Sequence, residues 1–574
     1  MVETSVLLVI AVLLVLYSVR ELSPEAWRPG THWLRQPSGP TSLKTTVAVA
    51  TAPSLTTSRV LTLWAPLAVV TGAFVLRIVQ LTGVPYGFFC DEASPALDAY
   101  FIVHTLHDQH GAFLPAYFQA LGEWPGGFQT YWDVPFVALF GLTEFASRFA
   151  AVVAGTLTIW LTYFFVSKAT KSRVIGLIAA FLLATSPWHI MQSREGWQVI
   201  NLPLIIALIL ACLYLGLERP RWLPLAFVCS ALGFYGYFPG RVFLPLFTVA
   251  WMIIYARPLL RQWRMTLIGI VAALVMLIPT AIALINGTAF ARLNQFSAAP
   301  QPFGQRISTY LSNYLAHYSP DFLFNTSDWI TRHFVRGFGL LYPIEAPFIL
   351  LGLGVMLWRR RRFDLLCLVW IVIYPVAGAL VGPPLLTRAI PGLIVLHIAA
   401  AQGVYAVVLG LSQLPRLRLH RAALVPALSA LLVLVGVGAT GQFMGSYLND
   451  YPLYSAGWDG WQSGAKEITA YFVAHHSAYD EELMNAEFNA PDELLRFYAT
   501  PYAWPCPTCT ITNVADPNAV RGQYAPRLRQ LWAVSPGVLQ TSALLNVPHR
   551  VVGHITYPNG QTSFLFIATG SRGA

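Results

Sequence analysis

Long apolar stretches alternate with short polar turns along most of the chain. A bilayer-crossing helix needs about 20 apolar residues. Windows of that kind predict spans at 5–18, 61–82, 146–166, 174–191, 198–216, 222–238, 241–256, 266–286, 341–358, 364–382, 390–411 and 422–441. The reading is about 12 transmembrane helices, within a range of about 11–13. The apolar run 134–143 is half as long and ends at Asp133 and Glu144, so it reads as an interfacial helix in the first outer loop. From residue 442 the texture changes. Helical patterns at 461–474 and 492–499 alternate with strand-like runs at 529–534, 550–555 and 562–568, and Tyr557-Pro558-Asn559-Gly560 reads as a hairpin turn. The predicted fold is mostly α, a polytopic membrane protein with interfacial helices in its first outer loop and a small C-terminal α/β extracytoplasmic domain. Its predicted parts are an N-terminal membrane anchor span at 1–20, a Ser-, Thr- and Pro-rich cytoplasmic linker at 21–60, a transmembrane domain at 61–441 and the extracytoplasmic domain at 442–574.

Composition agrees with the pattern. Of 574 residues, 56% are hydrophobic and 11% charged, with a mean hydropathy of +0.56. Soluble domains carry roughly 25% charged residues, so this chain has too few charges to cover a water-exposed surface. The net charge of +10 suggests nucleic acid until its placement is read. Basic residues gather at every second turn: Arg20 to Arg59, Lys168 to Arg173, Arg219 and Arg221, Arg257 to Arg264, Arg359 to Arg362, and Arg416 to Arg421. Those turns are read as cytoplasmic, and the positive balance becomes topology. The opposite side holds the loop 83–145, which has no Lys or Arg but contains Asp91, Glu92, Asp98, Asp108, Glu123, Asp133 and Glu144.

Candidate chemistry concentrates in that loop. Asp91-Glu92 follows the span 61–82 closely, and paired acids at a membrane boundary are costly unless solvated or used. They also suit plain helix capping ahead of Ser94-Pro95. His104, His107 and His110 share a helical face and read as the polar side of a helix lying on the membrane. Arg194, Arg241 and Arg388 lie on the outer side, against the inside-positive rule, which makes them candidates to hold an anionic group. Snorkelling or local pairing, such as Arg194 with Glu195, is the competing reading, and Arg148 is weighed with them. Cys506-Pro507-Thr508-Cys509 lies in a Pro-rich loop and reads as a local disulfide in an oxidising compartment.

The order Asp91-Glu92-Ala93, His110-Gly111 with Leu114-Pro115 and Tyr117-Phe118, Glu123 with Pro125 and Tyr131-Trp132, and Phe140 to Phe149 resembles the C-superfamily of integral-membrane glycosyltransferases. Within it the order is similar to the family 39 protein mannosyltransferases and the lipid A aminoarabinose transferases. The resemblance continues through Ala154 to Thr158, Ser186 to His189 and Ser193 to Gly196, and spans roughly 60–440.

It implies an enzyme that moves a sugar from a polyprenyl-phosphate donor to a protein, lipid or glycan acceptor at the extracytoplasmic face. Asp91 is then the catalytic base, and Glu92 its partner at the pocket. Glu123, Asp108, His110, Arg194, Arg241 and Arg388 contact substrate. The expected Lys after Glu123 is Trp124 here. A metal-site Asp of the aminoarabinose branch corresponds to Asn201, a weaker ligand for a hard cation, so no metal or other cofactor is assigned. Membrane lipids are partners and nucleic acid is not. The rival reading is a multi-span transporter or lipid-linked sugar flippase, which predicts acids near mid-membrane and internal repeats. A weaker one is a scaffold acting through 442–574.

Overall fold

The computed structural model describes residues 63–120, 122–287, 302–325, 330–413, 421–502 and 509–570. The anchor span 1–20, the linker 21–60 and Cys506 fall outside them. In chain order the helices are α1 (Ala65–Ile78), α2 (Cys90–Thr105), α3 (Phe128–Phe140), α4 (Glu144–Thr170), α5 (Arg173–Thr185), α6 (Pro187–Gln192), α7 (Asn201–Glu218), α8 (Leu223–Leu232) and α9 (Gly240–Ile254). There follow α10 (Ala256–Arg261), α11 (Trp263–Met276), α12 (Ile278–Ile285), α13 (Phe303–Ala316), α14 (Pro320–Phe324), α15 (Ala346–Arg359), α16 (Arg362–Ile373), α17 (Val376–Val381), α18 (Leu393–Gln413), α19 (Arg421–Asn449) and α20 (Tyr451–Ser455).

Every segment between 61 and 441 read as a span contains helix. Among the described residues, five helical stretches are by themselves long and apolar enough to cross a membrane, or six if the pair α11 and α12, bent by 40°, is one span. Shorter apolar helices, α1, α5 and α9, lie beside them. The chain is a multi-pass membrane protein.

Helix ends follow local chemistry. The Thr143 and Ser172 hydroxyls accept the N–H groups of Ala146 and Ile175, starting α4 and α5. Ser186 caps α6, and Pro187 at its first turn separates it from α5. Of the segment 134–143, residues 134–140 are the C-terminal part of α3, which packs on α4 through Trp132 Nε1 to the Ala150 carbonyl at 3.0 Å.

Beyond α20 the chain forms α21 (Ala465–His475), β1 (Glu481–Asn485), α22 (Pro491–Ala499), β2 (Cys509–Thr512), α23 (Pro517–Gln523), β3 (Gln530–Val534), α24 (Pro536–Thr541), β4 (His549–Thr556) and β5 (Thr562–Thr569). The sheet order is β2-β1-β3-β5-β4. β1 pairs parallel with β2 and β3, whereas β5 pairs antiparallel with β3 and β4. The turn at 557–560 joins β4 to β5 as expected, closed by the Tyr557 N–H to the Gln561 carbonyl. Cys509 is disulfide-bonded.

This sheet shares a core with the first loop. Phe88, Ala93, Ala96, Leu97 and Leu142 are buried in one cluster with Ile468, Phe472, Leu494, Phe497, Leu531 and Phe566. α2 is therefore held from two sides, by α4 and by α22.

Candidate active site

α2 starts at Cys90, four residues before the Ser94-Pro95 pair where the sequence placed it. Phe89 is extended at the N-cap, and Glu92 at the third helical position accepts its N–H at 3.3 Å. The Glu92 carboxylate also takes the Gly196 N–H at 2.7 Å. Arg148 grips it with both arms, Nε to Oε1 and Nη2 to Oε2, each at 3.0 Å. Arg148 further donates to the carbonyls of Leu81, Pro85 and Gly87. Glu92 is 1% exposed. It is a rivet between α2 and α4, and it does not line the cleft that its neighbour faces.

Asp91, Ser94, Pro95 and Asp98 line that cleft from a different face of α2, at spacings of three, four and seven residues. Phe118, Ala120, Glu123, Pro125 and Gly126 line it from the following loop, Gln129 and Thr130 from α3, and Gln198 from the turn before α7. It encloses about 550 Å³ including its mouth. Gly126 is required here, because a Cβ would come within 2.4 Å of the Tyr235 Cα. The loop therefore lies flat on the main chain of Tyr235.

Behind this polar cleft is an apolar one of about 870 Å³, mouth included, formed by Ala116, Gly127, Phe128, Tyr131, Trp132, Leu232, Tyr235, Met276 and Pro279. Residues 116–132 thus line two cavities with different positions, one acidic and one aromatic.

The structure brings together only some of the residues singled out in the sequence. Asp91 and Glu123 face the same cleft. Arg241, at the start of α9, bonds the loop that supplies Glu123: Nη2 donates to the Trp124 carbonyl at 3.1 Å, and the guanidinium lies over Tyr117 and Phe238. Asp108 folds the turn that follows α2, accepting the N–H groups of His110 and Ala112 at 2.9 and 2.8 Å. His110 Nε2 meets the Gln119 carbonyl at 3.1 Å. Neither Asp108 nor His110 lines the cleft. His104 and His107 bond nearby carbonyls of their own segment.

Arg194 is fully buried. It donates to the carbonyls of Leu76, Arg77, Gln80 and Val84 at the end of α1, a cation on a helix C-terminus. Glu195 accepts from Gln192. Arg388 bonds the Pro383 carbonyl and stands against α17 beside His317, away from the cleft lining.

Among the described residues no group of three or more His, Cys, Asp or Glu side chains has metal-holding geometry. Asn201 donates to Gln129 at 2.7 Å, and Gln129 donates to Asp133 at 2.8 Å. Asn201 is a neutral link in a chain of hydrogen bonds beneath the cleft.

Asp98, one of the loop acids, also lines the cleft. It is 1% exposed. Burial pushes its carboxyl up to about 7; the Gln109 N–H, at 3.1 Å, opposes this, while Glu493 and Asp108 add to it. The unfolded group ionises near pH 4. Between there and 7, unfolding releases a proton, so stability falls as pH rises through that window. The melting temperature of the wild-type chain minus that of Asp98→Asn is expected to decline from pH 4 to 7 and then level off. A difference independent of pH would contradict the assignment.

Residues 134–282 match the family model described as dolichyl-phosphate-mannose-protein mannosyltransferase. No curated protein matches the chain in sequence. Among solved structures, ArnT from Cupriavidus metallidurans in its apo state is similar with a TM-score of 0.56 and 14% identity, covering 89% of this chain and 99% of that one. The same protein bound to undecaprenyl phosphate gives a TM-score of 0.55 at 14% identity, with the same coverage. The archaeal oligosaccharyltransferase AglB from Archaeoglobus fulgidus gives 0.48 at 13% identity, over 76% of this chain and 64% of that one. In fold the chain is similar to ArnT along most of its length.

Proposed function

We propose that this chain, with an ArnT-like fold, is a membrane glycosyltransferase that moves a sugar from a polyprenyl phosphate to an acceptor hydroxyl at the extracytoplasmic face. One observation carries the reading. A cleft lined by Asp91, Asp98 and Glu123 adjoins an aromatic, apolar cleft across the shared wall 116–132. An amphiphilic donor needs that pairing, with polar groups for its sugar and dry surface for its isoprenoid chain. The solved relative bound to undecaprenyl phosphate supports it, as do the lack of Lys and Arg in the loop 83–145 and the basic turns that alternate with it.

In the reaction, the acceptor oxygen attacks the anomeric carbon while its proton passes to the Asp91 carboxylate. The bond from that carbon to the phosphate oxygen breaks, and the polyprenyl phosphate leaves with the electron pair. A single displacement inverts the anomeric centre. Glu123 shapes the sugar site. Arg241, held on the loop beside Glu123, offsets the negative charge that grows on the leaving group. Arg241→Ala is expected to lower kcat/KM for the donor by about 10- to 100-fold. Arg241→Lys, which keeps the charge and loses the fork, should recover part of it. Equal loss in both variants would assign Arg241 to loop packing alone.

The decisive experiment uses purified chain in liposomes with labelled polyprenyl-phosphate hexoses and a mixture of peptide, lipid and glycan acceptors. Sugar appearing on an acceptor supports the transferase. Movement of label between leaflets with no modified acceptor would replace it with a flippase.

A further inference from the structure

The region after residue 450 contacts α2 at both ends of its cleft-lining face. At the start, Asn489 Nδ2 reaches Cys90 Sγ at 3.3 Å, next to Asp91. At the far end, the Gln109 main-chain N–H holds Asp98 Oδ1 at 3.1 Å. The Gln109 side chain is clamped by α22: its Nε2 donates to Glu493 Oε1 at 3.3 Å and its Oε1 accepts from Arg496 Nη1 at 2.9 Å. Bonds in opposite directions fix both the position and the orientation of the amide, and with it the N–H that aims Asp98.

Among the described residues Asp98 forms no ion pair, and its Oδ1 accepts the Gln109 main-chain N–H. Burying a carboxyl in this way costs stability unless the site uses it. It is seven residues beyond Asp91, about 10 Å along the helix, and it lines the same cleft. A pyranose with its anomeric carbon at Asp91 and its ring laid along α2 would bring its remaining hydroxyls toward Asp98. We infer that Asp98 binds hydroxyl groups of the transferred sugar remote from its anomeric carbon, and that α22 of the C-terminal domain positions it through Gln109. This rests on the transferase reading above.

The test compares wild-type chain, Asp98→Asn, Gln109→Ala, Glu493→Gln and the Asp98→Asn/Gln109→Ala double variant. The donor is the polyprenyl-phosphate hexose that the wild-type chain turns over fastest in a panel of epimers, together with its deoxy analogues. Asp98→Asn is expected to raise donor KM by about 10- to 100-fold with a smaller change in kcat, and to lose discrimination against one deoxy analogue. Gln109→Ala and Glu493→Gln should shift KM in the same direction by about 3- to 10-fold. The double variant should match Asp98→Asn, because Gln109 acts through Asp98. A merely structural role would instead lower turnover of every donor alike, with additive effects, and would overturn the inference. So would wild-type kinetics in Asp98→Asn. Absence of turnover by the wild-type chain with every donor would overturn the transferase reading, and this inference with it.

Discussion

Asp91→Asn is expected to fold normally and to transfer sugar about 10²- to 10⁴-fold more slowly than the wild-type chain. The side chain is half-buried and faces the cleft, so an isosteric amide fits with little disturbance. What changes is basicity: an amide cannot take the proton of the attacking hydroxyl. The loss should appear in kcat, with donor KM nearly unchanged, since the proton moves only in the transition state. Retained melting behaviour with lost turnover is the expected pair of measurements. Undiminished turnover would remove Asp91 from the role of base.

The second large effect concerns its neighbour. Arg148→Ala is expected to destabilise the chain by about 3–5 kcal/mol. The substitution strands a buried Glu92 carboxylate. It also strips donors from the Leu81, Pro85 and Gly87 carbonyls and removes a guanidinium lying 5.5 and 5.7 Å from the ring centres of Phe88 and Trp461. Glu92→Gln keeps the shape and the Gly196 contact but leaves Arg148 without its counter-charge, so a similar loss is expected. Replacing both partners by apolar residues of matching volume should cost less than either single change. Thermal unfolding in detergent measures all three. Glu92→Gln should thus lose stability and activity together, whereas Asp91→Asn loses activity alone. That contrast separates two adjacent carboxylates that look equivalent in the sequence.

They look equivalent because adjacency along a chain hides direction. Successive helical residues point about 100° apart, so Asp91 and Glu92 were never on one face. The residue that shares a face with Asp91 is Asp98, two turns on, and the spacing rule that finds it was available once Cys90 was recognised as the helix start. Arg194 shows another limit of local pattern. A cation on the side opposite to the basic turns suggests a ligand, yet here it satisfies carbonyls at the end of α1, a demand set by tertiary packing and invisible in local pattern.

The apolar periodicity located helix in each segment read as a span between 61 and 441, because lipid imposes it directly, but it passed over α13 and α14, which lie in a stretch read as loop. It located β3, β4 and β5 to within a residue or two. It missed β1, whose Glu481-Glu482 start masks a buried strand, and β2, which is only four residues long. Asp91 and Glu123 were legible through the order of motifs. Gln109, Gln129 and Gln198 were not, since neutral amides carry no signal until their partners are known.

The core shared by α2 and the C-terminal sheet has a consequence for biogenesis. Contacts between Cys90 and Asn489 and between Gln109 and Glu493 join residues 399 and 384 positions apart. The helix bearing Asp91 leaves the ribosome among the first described elements, but its packing partners are among the last. Contacts of such long sequence separation form late. A nascent chain inserted in the membrane therefore carries its acids without the framework that aims them until α22 and the sheet have emerged. Chains cut short before α22 should insert into the membrane yet remain catalytically silent.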